Sequence, residues 1–317
     1  MICFIKYLIV DWSCFCKFVE RKRKVLALLA MSCMCVSNQD VHQLPKVDFL
    51  ASVLYSAQQC YAPEKKLLTA GDIKGWQFFK TFYDKQMKSA VYSKKPKIPK
   101  IIHHIWLGSP LPERFAQYRK TWQQLHPGWR CIVWDDAKVA ALGLVNWDAY
   151  CAASNYGEKS DIARYEILYR FGGLYVDTDF ESLQPFDLLH HCCDFYTGSY
   201  ANPGGGWLYV LNGLIGCAPK HPIIKRCIAG IKKTARQASN GAAAIINRTG
   251  PDYFYRCINE SIAAHDKIKT TIIFPPTFFY PWSGALRSNK DRAFIMSFVR
   301  PESFAVHHWA TSWTNEF

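Results

Sequence analysis

The chain has 317 residues, with 39 Lys/Arg against 25 Asp/Glu and a formal net charge of +14. Half of its residues are hydrophobic and 15% aromatic, enough to bury the core of one large α/β domain with appendages. The basicity is uneven, 17 Lys/Arg against 7 Asp/Glu in residues 1–100 and 22 against 18 in the rest; this disfavours a nucleic-acid groove through the core and leaves either an acidic membrane surface or simply solvated basic helices.

Thirteen cysteines occur without a C-x-x-C or a zinc-type spacing, five of them before residue 38. That pattern argues against a disulfide framework and for reduced thiols, as in a cytosolic compartment. Residues 1–37 hold two apolar runs, Ile2 to Val10 and Val25 to Val36, around a basic knot at Arg21-Lys22-Arg23-Lys24. The first run is too short to span a bilayer, and the second has the length of a signal-peptide core. An export signal or anchor, a false upstream start and a membrane-surface helix all stay open.

Residues 39–97 read as a helical extension, with helices over Val47 to Gln59 and Asp72 to Tyr92 and Asp72 as N-cap. Trp76, Phe78, Phe79, Phe82, Tyr83 and Met87 give the second helix a broad aromatic face for packing. Ser93 to Lys97 reads as a linker, so the expected division is a leader over 1–38, an extension over 39–97 and a main domain over 98–317.

Ile98 to Gly108 (IPKIIHHIWLG) predicts a buried first strand running into a loop, with Trp106 at its tip. An aromatic ring there can stack on a nucleobase or simply fill the core. His103 and His104 read as satisfied polar residues beside the strand. Pro112 to His126 predicts a helix and Trp129 to Asp136 a second strand, with Asp135 and Asp136 capping the next helix in preference to the alternative of touching a nucleotide.

Ser160 to Phe180 (SDIARYEILYRFGGLYVDTDF) carries the densest pattern. Ser160-Asp161 is an N-cap candidate, Ile162, Tyr165, Leu168 and Tyr169 repeat at helical spacing, and Gly172-Gly173 closes the helix. Asp161 and Arg164 share a helix face. Leu174 to Asp179 reads as a strand that puts Tyr175, Asp177 and Asp179 on one side. Two carboxylates so placed repel unless a cation lies between them, and such oxygen ligands suit Mn²⁺ or Mg²⁺. The alternatives are a plain polar strand end and an exposed Asp161–Arg164 ion pair worth under about 1 kcal/mol. Strands come next at Phe195 to Tyr200 and Trp207 to Cys217, around a glycine loop at Pro203 to Gly206 that lacks phosphate-loop spacing, then a helix from Asp252 to His265. Strands alternating with helices predict a mainly parallel sheet with helices on both faces.

The run S-D-I-A-R…F-G-G-L-Y-V-D-T-D-F resembles the D-x-D signature of family 32 glycosyltransferases, which include yeast-type mannosyltransferases, α1,4-galactosyltransferases and large glucosylating bacterial toxins. The first-strand stretch I-P-K-I-I-H-H-I-W-L-G, the block around Asn212-Gly213, Thr249-Gly250-Pro251 and the tail H-H-W-A-T-S-W at 307–313 are similar to further blocks of that family. The likeness covers residues 98–313. It implies a glycosyltransferase-A fold, Rossmann-like and mainly parallel. It also implies a retaining transfer of a hexose from a nucleotide-diphosphate sugar, UDP-hexose or GDP-mannose, by a front-face route.

By that likeness Asp177, Asp179 and His307 hold the metal, and Trp106 stacks on the base. Asn212 faces the acceptor side of the sugar or, as its local sequence equally allows, simply stands at a strand-end turn, while Ser312 and Trp313 form a lid over diphosphate and sugar. Ile105 and Ser160 complete the donor contacts. Arg164 and Tyr175 are placed to hold donor oxygens, and Asp161 to accept two sugar hydroxyls, which puts Asp161, Arg164 and Asp179 at the chemistry. The acceptor reads as a glycan, glycolipid or protein hydroxyl, with the N-terminus associating with a membrane surface or directing export; without that role the chain would be cytoplasmic. Two other classes compete. One is a nucleotide-sugar or carbohydrate-binding protein without catalysis. The other is a D-x-D phosphohydrolase, disfavoured because Glu181 stands where that motif wants Thr or Val.

Overall fold

The computed structural model describes residues 42–59, 70–201, 208–234, 241–264 and 268–311. Leu44–Phe317 form one compact unit; Met1–Gln43 form another, of which only His42 and Gln43 are described. The leader, Pro203 to Gly206, Ser312 and Trp313 therefore lie outside the described residues. Among the described residues no helix is long and apolar enough to cross a membrane.

Six strands make the main sheet: β1 (Ile101–Ile105), β2 (Arg130–Trp134), β3 (Gly173–Val176), β5 (Phe195–Ala201), β6 (Leu208–Cys217) and β7 (Thr271–Phe274). Their spatial order is β2-β1-β3-β6-β5-β7. Pairings β1–β2, β1–β3 and β5–β7 are parallel, while β6 runs against both of its neighbours, β3 and β5. The sheet is thus mainly parallel, as the alternation of elements predicts. β3 and β5 are buried at every residue, which requires cover on both faces. A separate ladder joins β4 (Phe180–Ser182) to β8 (Ala305–His307).

The extension packs onto this sheet. Helix α1 (Phe49–Gln58) is capped by Asp48, whose carboxylate accepts from Ala51 N at 2.8 Å. Helix α2 (Ala70–Ser89) buries Trp76, Phe79 and Tyr83, spaced at three and four residues. Tyr83 meets Phe49 at 5.5 Å and Phe274 of β7 at 6.4 Å between ring centroids. Two expectations shift here. Asp72 lies inside α2 rather than at its cap, and Phe78 points away from the packed stripe, 51% exposed.

Helix α3 (Glu113–Leu125) comes after β1, and α4 (Asp136–Ala141) and α5 (Trp147–Ala152) after β2. Asp135 caps α4 by accepting from Lys138 N, as expected, and Asp136 Oδ2 accepts from Gly108 N at 2.7 Å, pinning the loop after β1. His103 is the satisfied polar residue expected, whereas His104 uses only Nδ1 and leaves its buried Nε2 without a partner among the described residues. His103 bonds the Gly172 carbonyl and accepts from Trp134 Nε1, while His104 Nδ1 bonds the Val176 carbonyl. Both rings are pushed well below the usual imidazole range by burial, to about 4 and about 3.

The central helix α6 runs Tyr156–Phe171 and starts a full turn before Ser160. Asn155 Oδ1 accepts from Gly157 N at 2.7 Å and Glu158 N at 3.3 Å, so it occupies the first free amides and is the cap. Ser160 and Asp161 become interior positions. At the other end Gly172 (φ 60°) and Gly173 (φ 99°) turn the chain into β3, and a Cβ on Gly172 would lie 2.6 Å from Pro219. β3 then stops at Val176, earlier than the alternation predicts. Asp177 N makes the last bond toward β6, to Gly213 O at 2.8 Å, and Phe180 N returns to Asp177 O at 3.2 Å, so Asp177-Thr178-Asp179 is a turn. The chain continues through α7 (Asp187–Cys192), α8 (Pro222–Thr234), α9 (Ala242–Arg248), α10 (Pro251–Ala263) and α11 (Arg292–Met296).

Candidate active site

A cavity of about 620 Å³ opens beyond the carboxyl ends of β1 and β3, where open α/β sheets bind ligands. Ile105 and Trp106 reach it from β1, Ser160, Asp161 and Arg164 from α6, and Tyr175, Asp177 and Asp179 from β3 and its turn. Asn212 enters from β6 and His307 from β8. Every described residue assigned to a site from the sequence therefore lines one cavity. Trp106 sits on its wall, with its ring 4.9 Å from Phe115 and its Nε1 donating to Ser109 Oγ at 3.0 Å.

The cavity floor is a buried polar network. Asp161 is 6% exposed and Arg164 5%. Asp161 Oδ1 accepts from Asn212 Nδ2 at 2.9 Å and lies 3.1 Å from Arg164, while Oδ2 accepts from Thr249 Oγ1 at 3.1 Å. Burial pushes the Asp161 carboxyl up to about 6, against the pull of Arg164. Arg164 also donates to Asn212 O at 2.8 Å and faces Asp177 at 3.4 Å, and its guanidinium lies 4.5 Å from the Tyr175 ring centre. The Asp161–Arg164 pair is thus buried and networked, not the exposed helix pair that spacing also allowed.

Asp177, Asp179 and His307 form the second feature, each offering a ligand atom within 4.8 Å of the others. Tyr175 OH donates to Asp177 Oδ1 at 2.7 Å. His307 Nε2 lies 3.0 Å from Asp179 Oδ1, and Ala310 N donates to Asp179 Oδ2 at 2.8 Å. The two carboxylates diverge. Burial raises the Asp177 carboxyl above its usual range. At Asp179 burial also pushes upward, but the His307 imidazole and the Ala310 amide outweigh it and hold the group below that range. Two carboxylate oxygens and an imidazole nitrogen form a donor set suited to Mn²⁺ or Mg²⁺. His307 Nε2 is the ring nitrogen that faces Asp179, at 3.0 Å, and is the one placed to serve as ligand. The donor set fits a divalent cation.

Several site residues escaped the sequence reading. Thr249 and Tyr165 hold Asp161 and Asn212, the latter by accepting from Asn212 Nδ2 at 3.1 Å. Gly213 is needed because a Cβ there would lie 2.7 Å from Asp177 Oδ2. The glycine beside Asn212 was the available signal for a close approach, whereas nothing local announces Thr249 as a partner of Asp161.

Comparison with known proteins bears on this region directly. Residues 112–194 match the family described as a glycosyltransferase sugar-binding region containing the DXD motif. Inositol phosphoceramide mannosyltransferase 1 of Schizosaccharomyces pombe is 27% identical over 181 residues, 55% of each chain. Mannosyl phosphorylinositol ceramide synthase CSH1 of Saccharomyces cerevisiae is 28% identical over 168 residues, 51% of this chain and 43% of that protein. The chain thus spans about half the length of these relatives. Among solved structures, the PaToxG glycosyltransferase aligns with a TM-score of 0.47 at 16% identity, over 62% of this chain and 82% of that one. The matched stretch contains Asp161, Arg164, Tyr175 and the D-x-D pair, so residues 112–194 are similar to the glycosyltransferase sugar-binding region that carries the DXD motif.

Proposed function

We propose that the chain is a metal-dependent, retaining hexosyltransferase that moves a sugar from a nucleotide diphosphate to an acceptor hydroxyl. The observation that carries this reading is the convergence of Asp177, Asp179 and His307 beside the buried Asp161–Arg164 pair in one cavity. Asp179, Asp177 and His307 would hold Mn²⁺ or Mg²⁺. When bound, such an ion offsets the charge of a departing diphosphate.

The other residues act on the donor. Asp161 accepts hydroxyls of the sugar in place of Asn212 or Thr249, and so bears on which hexose fits. Arg164, held by the Asn212 carbonyl and flanked by Tyr175, donates to donor oxygens. Trp106 stacks on the base, with Ile105 and Ser160 beside it. Asn212 lies toward the acceptor. Ser312 and Trp313, beyond the described residues, would cover diphosphate and sugar. The likeness to the retaining glycosyltransferases supports front-face transfer, in which the leaving oxygen assists the incoming hydroxyl.

The donor is a UDP-hexose or GDP-mannose, and the mannosyl-transferring names of the yeast relatives favour mannose. The acceptor is a glycan, glycolipid or protein hydroxyl; the ceramide-based names of the same relatives favour a glycolipid. The basic N-terminal third fits association with a membrane surface or export.

The test is to incubate the full chain with a panel of nucleotide sugars, with Mn²⁺ or with chelator, and to follow free nucleotide diphosphate. Metal-dependent release from one donor is the expected result. Absence of both release and metal-dependent nucleotide binding would overturn the proposal in favour of a binding protein without catalysis.

A further inference from the structure

Strand β8 ends at His307 and His308 follows it directly; of the two, only His307 lines the cavity. Its ring stacks on Phe180 at 4.4 Å and meets Asp179 at 3.0 Å. His308 is bound elsewhere, its Nε2 lying 3.1 Å from Glu181 Oε2 with both side chains under 10% exposed. Tyr118 of α3 lies flat on the His308 ring, centroids 4.3 Å apart and planes 13° from parallel. Arg292, at the start of α11, holds the other oxygen of Glu181.

The ladder that carries these residues is short. It pairs Phe180 with His307, Glu181 with Val306 and Ser182 with Ala305, and adds His308 N to Asp179 O at 2.9 Å. Side chains alternate between faces, so a slip of one residue would exchange His307 and His308. The backbone bonds of three pairs discriminate weakly against that slip, because a slipped ladder can form nearly the same number. Glu181 adds a side-chain hold: its buried carboxylate bonds His308, whose ring lies on Tyr118, and this grip keeps His307, one residue earlier, on the opposite face beside Asp179.

We infer that Glu181 is a positioning residue: with Tyr118 and Arg292 it grips His308 and sets the register in which His307 meets Asp177 and Asp179. The inference rests on reading that triad as a cation site. It assigns a task to the residue that interrupts a phosphohydrolase pattern.

The test is calorimetric titration of the full chain with Mn²⁺, beside thermal melts of the metal-free protein. Glu181→Ala should weaken Mn²⁺ binding by about 10- to 100-fold in protein that is still folded. Glu181→Gln can accept from His308 while Arg292 swings to solvent, and should stay within about threefold of the parent. If Glu181→Ala does not fold, His308→Phe keeps the ring on Tyr118 without the bond to Glu181 and should show the same weakening. Folded Glu181→Ala or His308→Phe with Mn²⁺ affinity within about twofold of the parent would overturn the inference and leave Glu181 a purely structural residue. Absence of Mn²⁺ binding by the parent chain would instead overturn the cation-site reading beneath it.

Discussion

The floor of the cavity and its cation corner are built in opposite ways. On the floor, Asp161 and Arg164 sit three residues apart on one helix, and both oxygens of Asp161 are already bonded by Asn212 and Thr249. At the corner, Asp179 and His307 come from positions 128 residues apart, and Asp177 keeps 31% of its side chain exposed. The chain there also adopts costly backbone. Trp309 and Thr311 have φ of 49° and 47°, left-handed values that cost about 1–3 kcal/mol each for such residues. Ala310 N on Asp179 and the packing of Trp309 against Tyr200 and His307 hold that segment. A floor with its bonds filled resists deformation, while a corner with unfilled ligand capacity is where an incoming charge gains most.

This contrast predicts that corner substitutions damage transfer at little cost in stability, whereas floor substitutions damage stability as well as transfer. Asp179→Asn should lower turnover by about a hundredfold or more, with the far-ultraviolet circular dichroism spectrum unchanged. A soluble variant with parental turnover would break the comparison at its stronger end. Arg164→Ala strands the buried Asp161 without its cation and should cost about 3–5 kcal/mol in chemical denaturation. Unchanged denaturation would mean that the floor is not a pre-formed unit.

The smallest expected effect concerns pH. Asp161 has its carboxyl raised to about 6 by burial, above the ordinary 3.8, so the folded chain holds its proton to higher pH than the unfolded one. The stability it contributes is fully present below the lower value and is lost as pH rises through the upper one. Over that window Asp161→Asn should gain up to about 3 kcal/mol relative to the parent as pH rises from 4 to 7, read from paired denaturation curves. Parallel curves across the window would show that the carboxylate is not raised.

Much of this was legible in the chain, and the rest was not for reasons of range. The Gly172-Gly173 stop, the aromatic stripe of α2 and the alternation of strands and helices depend on local backbone preference and on periodicity, both carried by neighbouring residues. Asp161, Arg164, Asp177 and Asp179 were readable for the same reason, since spacing along one helix and one strand end puts them together. Local pattern misplaces the cap of α6 because Asn155 and Ser160 are both good caps. It draws the strand after Gly173 too long because the turn from Asp177 to Phe180 takes the chain away from the sheet while β6 runs on to Leu208.

Tertiary structure alone decided three matters. It buried the Asp161–Arg164 pair, which spacing could not distinguish from a solvated one, by laying Asn212 and Thr249 over it from 51 and 88 residues away. It chose His307 over His308, through a ladder whose register a lone strand cannot specify. It also bent Asp177-Thr178-Asp179 into a turn, so that both carboxylates face the histidine. Local pattern reports what each segment prefers, whereas burial, register and the meeting of distant charges depend on what packs against it.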